Sequence, residues 1–204
     1  MTAKIRILLA EDQAMVRGAL TALLRLEEDM DVVAEVAQGD RILEAAIKSQ
    51  PDVALLDVEM PGGDGLSAAH TLHKNLPSCR IVILTTFGRS GYLRRAMESG
   101  AVGFLLKDAP ADQLAVAIRR VMAGERVVDP DLALSALSDG ENPLTPRERD
   151  VLRASPNGAS IAGIATELYL SEGTVRNHIS TAIQKLNVQN RNEAAQLAKQ
   201  KGWL

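Results

Sequence analysis

Residues 5–25, IRILLAEDQAMVRGALTALLR, contain the repeating unit that decides the fold. A short, almost wholly apolar run is followed by two acidic residues and then by a segment whose apolar residues recur at helical spacing. Such uniformly apolar runs are typical of parallel strands buried on both faces of a sheet. The alternation of an apolar run with a helical segment occurs five times over residues 1–123, which predicts an α/β domain with a doubly wound, five-stranded parallel sheet. The predicted strands are residues 5–10, 32–37, 53–56, 81–84 and 102–106, and the predicted helices are residues 14–25, 41–48, 66–75, 91–98 and 112–122.

The pattern changes after Pro143, where the strand signal ends. Four short helices fit the remaining residues, so residues 143–204 are predicted to form a separate all-α, four-helix domain. The segment 124–142 lacks strong periodicity and is interpreted as a linker with a short helix at residues 131–137. The four predicted helices of the second domain are residues 146–153, 161–168, 172–186 and 192–201.

The net charge of −3 divides unevenly between the two parts of the chain. Residues 1–143 carry 15 lysines and arginines against 21 acidic residues, whereas residues 144–204 carry 8 against 5. A basic second part that follows an acidic first part indicates that the second part binds a polyanion.

Cysteine use and hydropathy favour a cytoplasmic protein. Cys79 is the single cysteine, and a packing role in a reducing compartment is favoured over a catalytic thiol. No apolar run approaches the length of a membrane span, and the first residues lack the layout of a signal peptide. We therefore expect a cytoplasmic location and no membrane partner.

Acidic residues follow two of the predicted strands. Glu11 and Asp12 follow the first strand, and Asp57 follows the third. In a doubly wound sheet with strand order 2-1-3-4-5, ligands bind beyond the carboxyl ends of strands one and three. Three carboxylates that converge there repel one another unless protons or a cation neutralise them, and hard oxygen ligands with open coordination positions suit Mg²⁺.

A hydroxyl and a cation are expected at the same edge of the sheet. Thr85 ends the fourth strand, and Lys107 follows the fifth. A carboxylate nucleophile, a divalent ion, a hydroxyl and an ammonium group are together suited to forming an aspartyl phosphate. Each residue alone has an ordinary explanation, such as a helix cap or a solvated ion pair, but their joint occurrence favours the chemical one.

Residues 1–123 resemble the receiver domain of two-component response regulators, which has a flavodoxin-like fold. The resemblance rests on Glu11-Asp12 and on the segments LLDVEMPGGDG (residues 55–65), ILTT (83–86) and GFLLKD (103–108). It implies that Asp57 is the phosphoryl acceptor. It also implies that Mg²⁺ is held by Asp12, Asp57 and the Glu59 carbonyl, with Glu11 assisting through water, and that Thr85, Phe104 and Lys107 respond to or contact the phosphoryl group.

Two enzyme classes are alternatives to this interpretation. Phosphatases of the haloacid-dehalogenase type also use Asp, Thr or Ser, Lys and Mg²⁺, but they place the nucleophile early and the acidic pair late. Here that order is reversed. In addition, the residue two positions after Asp57 is Glu59, where those phosphatases have their acid–base Asp. Dinucleotide binding is disfavoured because no G-x-G-x-x-G motif follows the first strand.

Residues 143–204 resemble the LuxR/NarL-type helix-turn-helix. The matching segments are NPLTPRERDVL (residues 142–152), LSEGTVRNHIS (170–180) and KLNVQNRNEAA (185–195). Thr145 and Glu148 have the spacing of a capping box. Gly163 and Pro156 depart from the family's usual pattern, and the helix before Pro156 is expected to end near Ala154.

The third helix of this domain is expected to be the recognition helix. Val175, Ile179 and Ala182 have the spacing of a core face, so the polar residues between them point outward. Such a face suits major-groove reading, with Asn177 positioned to bond an adenine edge and basic residues to contact phosphates. A protein-binding tail is the alternative. The expected DNA-contacting residues are Thr174, Arg176, Asn177, Ser180, Thr181, Lys185 and Arg191.

The two resemblances together identify a NarL/FixJ-type response regulator, and residues 85–110 resemble the DesR-like subgroup. This implies phosphorylation by a sensor histidine kinase, dimerisation on phosphorylation, and binding to double-stranded operator DNA to control transcription, with RNA polymerase as a further partner. The protein is expected to be a regulator and not an enzyme beyond its own phosphoryl transfer and slow dephosphorylation. Short apolar side chains on the first and fifth helices suggest a dimer face: Ala14, Ala19, Ala22, Ala115, Ile118 and Val121, of which about half are expected to face the sheet instead. The resemblance also favours this face, and a face that includes the fourth helix is the alternative.

Overall fold

The structure, a computed structural model, describes residues 4–86, 88–138, 142–155 and 159–204. The chain divides into two compact units. The α/β unit comprises residues 1–88 and 92–134, and the helical unit comprises residues 89–91 and 135–204. No helix in the described ranges is long and apolar enough to cross a membrane.

The α/β unit contains one parallel sheet in the order β2-β1-β3-β4-β5-β6. The all-buried sequence VALL of β3 is typical of a strand in a parallel sheet, because both faces of such a sheet are covered and every side chain of the strand can be apolar. The strands are β1 (Ile5–Ala10), β2 (Met30–Val36), β3 (Val53–Leu56), β4 (Arg80–Thr85), β5 (Gly103–Leu106) and β6 (Val127–Val128). The helices are α1 (Ala14–Arg25), α2 (Ile42–Ser49), α3 (Gly65–Asn75), α4 (Ser90–Glu98) and α5 (Ala111–Met122).

One side of the sheet packs against α1 and α5. Leu24 of α1 and Ile118 and Val121 of α5 are buried in the same apolar cluster as Leu9 and Val82 of the sheet. Cys79 is buried just before β4, and burial raises the pKa of its thiol to about 12. It is therefore a protonated packing residue, in agreement with the role expected from the sequence.

The sheet has six strands, so the prediction of five was one short. Val127 pairs with Gly103 and Val128 with Phe104, which places β6 at the edge beside β5. A strand of two residues is too short to produce an alternation or an extended apolar run, and the sequence pattern therefore missed it. The segment 124–142 thus begins as part of the sheet before it forms α6 (Pro130–Ser138), which matches the predicted short helix.

The described residues of the helical unit form four helices beyond α6, at nearly the predicted positions. They are α7 (Pro146–Arg153), α8 (Ile161–Leu168), α9 (Glu172–Leu186) and α10 (Arg191–Gln200). Each begins at a residue whose side chain accepts a hydrogen bond from the first helical turn: Thr145, Ser160, Ser171 and Asn190. The predicted capping box of Thr145 and Glu148 is present. Helix α7 ends with Ala154 as its C-cap, as expected; Pro156 lies outside the described residues.

Candidate functional site

Three acidic side chains meet at the carboxyl end of the sheet. Glu11 and Asp12 follow β1, and Asp57 follows β3. The two strands pair in register, with Ala10 opposite Leu56, and the Asp57 amide donates to the Ala10 carbonyl at 3.0 Å. One carboxylate oxygen from each acidic residue lies within 4.8 Å of the others. The structure therefore brings together the three carboxylates that the strand order predicted to converge.

Lys107, which follows β5, is the cation of this acidic cluster. Its Nζ lies 2.8 Å from Asp57 Oδ2 and 2.5 Å from Glu11 Oε2, and its side chain is only 8% exposed. Burial raises the pKa of Asp57, and the hydrogen bond from Lys107 offsets this only in part. For Lys107 itself, burial lowers the pKa, but hydrogen bonds to Asp57 and Glu11 outweigh that effect, so the pKa is raised and the ammonium group remains charged.

The donor set of this site fits a divalent cation. Three ionised carboxylates beside one ammonium group leave a net charge of about −2 in a small volume, which is stable only when protons or a cation neutralise it. Glu11 and Asp57 are buried, whereas Asp12 is exposed. One side of the cluster is thus open to water, as Mg²⁺ requires because it keeps several of its own waters.

The two expected switch residues lie on neighbouring strands. Thr85 ends β4, is 1% exposed, and its carbonyl accepts a hydrogen bond from the Lys107 amide at 2.8 Å. Phe104 lies on β5 opposite Ile83 and is fully buried. Because β4 and β5 are paired, the Thr85 end of one strand and the Lys107 end of the other reach the same edge of the sheet.

Two contacts at this site were not visible in the sequence. The Tyr92 hydroxyl donates to Glu59 Oε1 at 3.1 Å, and the Arg17 guanidinium donates to the Glu11 carbonyl at 2.6 Å. Tyr92 and Arg17 lie on helices, where the sequence pattern assigns them only a helical face. Their long side chains reach back to the loops that carry the carboxylates, and no spacing rule links such positions.

Helix α9 separates its residues as the sequence predicted. Val175, Ile179 and Ala182 are buried, whereas Arg176 and Asn177 are exposed. Ser180 and Thr181 are also exposed, one turn further along. Thr174 is half-buried, and its hydroxyl shares a hydrogen bond with that of the N-cap residue Ser171 at 2.8 Å. The exposed face carries the donors and acceptors that base-edge reading requires.

The three basic residues expected to contact phosphate already have protein partners. An Arg176 guanidinium nitrogen lies 2.8 Å from Glu172 Oε2, and the Arg191 guanidinium donates to the Ala159 carbonyl at 2.9 Å. Lys185 Nζ donates to both carboxylate oxygens of Glu148, at 3.0 and 2.9 Å.

Glu148 is 4% exposed and forms an ion pair that joins α7 to α9. Burial raises the pKa of Glu148, but hydrogen bonds from Lys185 and from the Thr145 amide outweigh that effect and lower it. Lys185 therefore stabilises the helical unit in addition to any contact with DNA.

Comparison with known families agrees with both halves of this description. Residues 7–119 match the response regulator receiver domain, and residues 142–198 match the bacterial regulatory proteins of the luxR family. The chain is a LuxR-family response regulator. It is therefore a DNA-binding transcriptional regulator controlled by phosphorylation and not an enzyme. Neither alternative, a phosphatase or a protein-binding tail, applies to it.

Relatives of this response regulator align over nearly its whole length. It is 48% identical to the transcriptional regulatory protein DesR of Bacillus subtilis, over 98% of each chain. It is 50% identical to the uncharacterised transcriptional regulatory protein YvfU of the same organism, over 98% of this chain and all of the other. Among solved structures, the response regulator ChrA of a heme-sensing two-component system is 33% identical, with a TM-score of 0.58 over 99% of this chain and all of the other. An RcsB–DNA complex, 24% identical, shares the fold with a TM-score of 0.66 over 97% of this chain and 98% of RcsB.

Proposed function

We propose that Asp57 accepts a phosphoryl group from a sensor histidine kinase. A carboxylate oxygen of Asp57 forms a bond to phosphorus while the bond from phosphorus to the kinase histidine nitrogen breaks, and that nitrogen leaves with the electron pair. Lys107, 2.8 Å from Asp57 Oδ2, is placed to stabilise the negative charge of the phosphoryl oxygens. The proximity of Asp57 to Lys107 and to two further carboxylates is the observation that carries this proposal.

The same site is proposed to hold Mg²⁺. Asp12, Asp57 and the Glu59 carbonyl would bind the ion, and Glu11 would assist through water. When bound, Mg²⁺ supplies positive charge to the phosphoryl oxygens. Thr85 is proposed to bond the phosphoryl group and Phe104 to respond to that movement.

Labelling by acetyl phosphate tests the acceptor. Intact mass spectrometry should show one added phosphoryl group on the parent in the presence of Mg²⁺ and none on Asp57→Asn. Asp31→Asn, which alters an exposed aspartate of the same unit, should label like the parent. Labelling of Asp57→Asn at the parental level, or labelling that EDTA leaves unchanged, would contradict the assignment.

We further propose that phosphorylation promotes dimerisation and that the dimer binds paired half-sites in operator DNA. A single small helix-turn-helix offers few base contacts, and symmetric dimers double them. The exposed surface of α1 and α5 supports this. Ala14, Ala19 and Ala22 are exposed, whereas Ala115, Ile118 and Val121 are buried in the core. Larger exposed apolar residues on the same two helices are Met15, Leu23, Val116 and Met122.

Sedimentation velocity with and without beryllofluoride tests the dimer. A shift from monomer to dimer is expected on addition, and Met15→Glu should abolish the shift because it places a charge in the proposed interface. A protein that is monomeric in both states, at concentrations where beryllofluoride strengthens DNA binding, would rule this mechanism out.

The domain assignment follows from these two proposed roles, phosphorylation and DNA binding. We propose residues 1–123 as the receiver, 124–142 as the linker and 143–204 as the DNA-binding domain. DNA contacts are assigned to Thr174, Arg176, Asn177, Ser180, Thr181, Lys185 and Arg191. We also propose a cytoplasmic location, where the DNA lies, and RNA polymerase as a further partner.

A further inference from the structure

Tyr169 lies in the turn between α8 and α9, in a backbone conformation that glycine adopts more easily than any other residue. Its φ and ψ are 55° and 45°, in the left-handed region. The Leu170 amide donates to the Ala165 carbonyl at 2.9 Å, which closes the C-terminus of α8 in the manner of a Schellman motif. Glycine is the usual residue at this position of that motif because a Cβ atom makes the left-handed conformation unfavourable.

The side chain of Tyr169 gains almost nothing from folding to offset that cost. It is 95% exposed, so its ring buries very little apolar surface. The other non-glycine residues with positive φ in the described ranges are Gln50 and Asn187, which are polar. A large aromatic residue at a glycine-favouring position, with nothing packed on it, indicates a role outside the folded unit.

The position of Tyr169 in the helix-turn-helix indicates what covers it. It lies two residues before Ser171, the N-cap of the recognition helix α9. Recognition helices contact base edges through their N-terminal residues while the preceding helix crosses the sugar–phosphate backbone. The turn that joins the two helices is therefore expected at the rim of the groove, beside that backbone.

We propose that Tyr169 contacts the sugar–phosphate backbone of DNA. Its hydroxyl donates to a phosphate oxygen, and its ring lies against a sugar. This inference rests on the proposed role of α9 as the recognition helix. The contact is uncharged, so it adds affinity without releasing a counterion and without reading sequence. Glu167 and Glu172 are the two carboxylates near the turn in sequence. Glu172 pairs with Arg176, which reduces its repulsion of phosphate.

Two substitutions of Tyr169 separate folding from binding. Tyr169→Gly removes the side chain and, with it, the cost of placing a Cβ atom in the left-handed conformation. Tyr169→Phe removes only the hydroxyl. Gln50→Gly is the matched control, because it also places glycine at a position in the left-handed conformation, at the C-terminus of α2 in the other unit. Trp203, the only tryptophan, is half-buried against the apolar core of the helical unit, so its fluorescence reports the melting of that unit alone.

The expected result is opposite for stability and binding. Tyr169→Gly should raise the melting temperature reported by Trp203 by a few degrees. It should also weaken binding about two- to tenfold, both to a random duplex and to a duplex selected by the parent from a random pool, with an unchanged salt slope. Tyr169→Phe should show a smaller loss of binding. Gln50→Gly should bind both duplexes like the parent.

Other outcomes overturn this proposal in distinguishable ways. If Tyr169→Gly binds like the parent while Asn177→Ala loses binding to the selected duplex, the Tyr169 contact is wrong and the recognition helix stands. If neither variant changes binding, the assignment of α9 is wrong as well. Normal DNA binding combined with lost transcription in a purified system would assign Tyr169 to a protein partner instead. A glycine variant that melts below the parent would refute the premise that tyrosine is unfavourable here.

A second inference comes independently from β6 and α6. Val128 pairs with Phe104, and the α6 residue Leu132 is 6% exposed. A Cβ atom on Gly88 would lie 3.5 Å from the Leu106 methyl groups and 3.6 Å from a Leu132 methyl group, so these three residues lie close together. The start of the linker therefore contacts both the segment after Thr85 and the strand that leads to Lys107.

We infer that residues 127–132 transmit the phosphorylation state of the receiver toward the DNA-binding domain. Movement at Thr85 or Phe104 changes the surface on which Leu132 packs, and Leu132 lies on the helix that precedes the DNA-binding domain in the chain. This inference also rests on the proposed phosphorylation of Asp57, so its test measures labelling and DNA binding on the same samples.

Leu132→Ala tests the transmission, with Leu134→Ala as its control. Leu134 lies on the same helix but is 62% exposed. Both variants should accept phosphate like the parent, which also shows that the receiver is folded. Phosphorylation should strengthen DNA binding by Leu134→Ala as in the parent and should no longer do so for Leu132→Ala. The milder Leu132→Val should lose part of the enhancement. Full enhancement in Leu132→Ala would overturn the inference, whereas absent labelling in all variants would overturn the proposed function.

Discussion

The proposed functional side chains of the receiver come from four strand ends that are far apart in sequence, whereas those of the DNA-binding domain lie mostly along one helix. Asp57 and Lys107 are brought together only by the sheet, and both are buried. Arg176 and Asn177 are adjacent and exposed. The receiver site is thus inseparable from its fold, while the recognition helix can change its surface residues without changing its core. Substitutions should therefore cost more, and affect more properties at once, in the receiver.

Replacement of Lys107 should have the largest effect. Lys107→Met keeps the length of the side chain but leaves Glu11 and Asp57 buried without their cation. Removing one partner of a buried ion pair costs about 3–5 kcal/mol, so the α/β unit should be destabilised by that order without Mg²⁺ and should label poorly with it. Urea denaturation followed by circular dichroism measures the first effect, and mass spectrometry measures the second. Parental stability and labelling would show that the site does not depend on this ion pair.

Glu148 is an exception to this contrast between buried and exposed residues, because it is a buried charged residue in the DNA-binding domain. Glu148→Ala removes the capping box of α7 and leaves Lys185 without its carboxylate partner. We expect a loss of about 2–3 kcal/mol from the two effects together. Urea denaturation followed by Trp203 fluorescence measures it, and Glu193→Ala, which removes an exposed carboxylate of the same unit, should cost less.

Strand and helix positions could be predicted because their causes are local. Residues 5–10 and 53–56 were predicted as strands and are strands at the same bounds, since each is a wholly or almost wholly apolar run that is followed directly by an acidic residue. Side-chain partners that cross between elements could not be predicted. The pairing of Lys185 with Glu148 joins residues 37 positions apart, and no periodicity encodes it. Val127–Val128 was missed for the opposite reason, because two residues are too few to form a pattern.

Asn177 should show how much a single exposed residue of the recognition helix contributes. If it bonds an adenine edge, Asn177→Ala should weaken binding to the selected duplex by about 1–3 kcal/mol and leave binding to a random duplex unchanged. Fluorescence anisotropy on both duplexes gives the difference directly. An equal loss on the two would assign Asn177 to the backbone instead of a base.

Acid should weaken the DNA-binding domain through Glu148. Its pKa is lower in the folded state than its ordinary value, so it contributes stability above the ordinary value, and this contribution disappears as pH falls through the folded pKa. In Glu148→Gln, which cannot titrate, the stability reported by Trp203 should fall less steeply over the same acid range. The difference should be about 1 kcal/mol or less, because Lys185 is partly exposed to solvent. Identical pH profiles would show that other carboxylates cause the acid sensitivity.

Arg176 should show the smallest effect, because its guanidinium already has a partner. DNA binding by Arg176 competes with its ion pair to Glu172, so part of any phosphate contact is offset by the loss of that pair. Arg176→Ala should weaken binding to selected and random duplexes alike and reduce the magnitude of the salt slope by about one unit if it touches one phosphate. Glu172→Gln supplies the matched test, because it frees Arg176 and should strengthen binding slightly to both duplexes. If Glu172→Gln weakens binding instead, the ion pair positions Arg176 for the phosphate and does not compete with it.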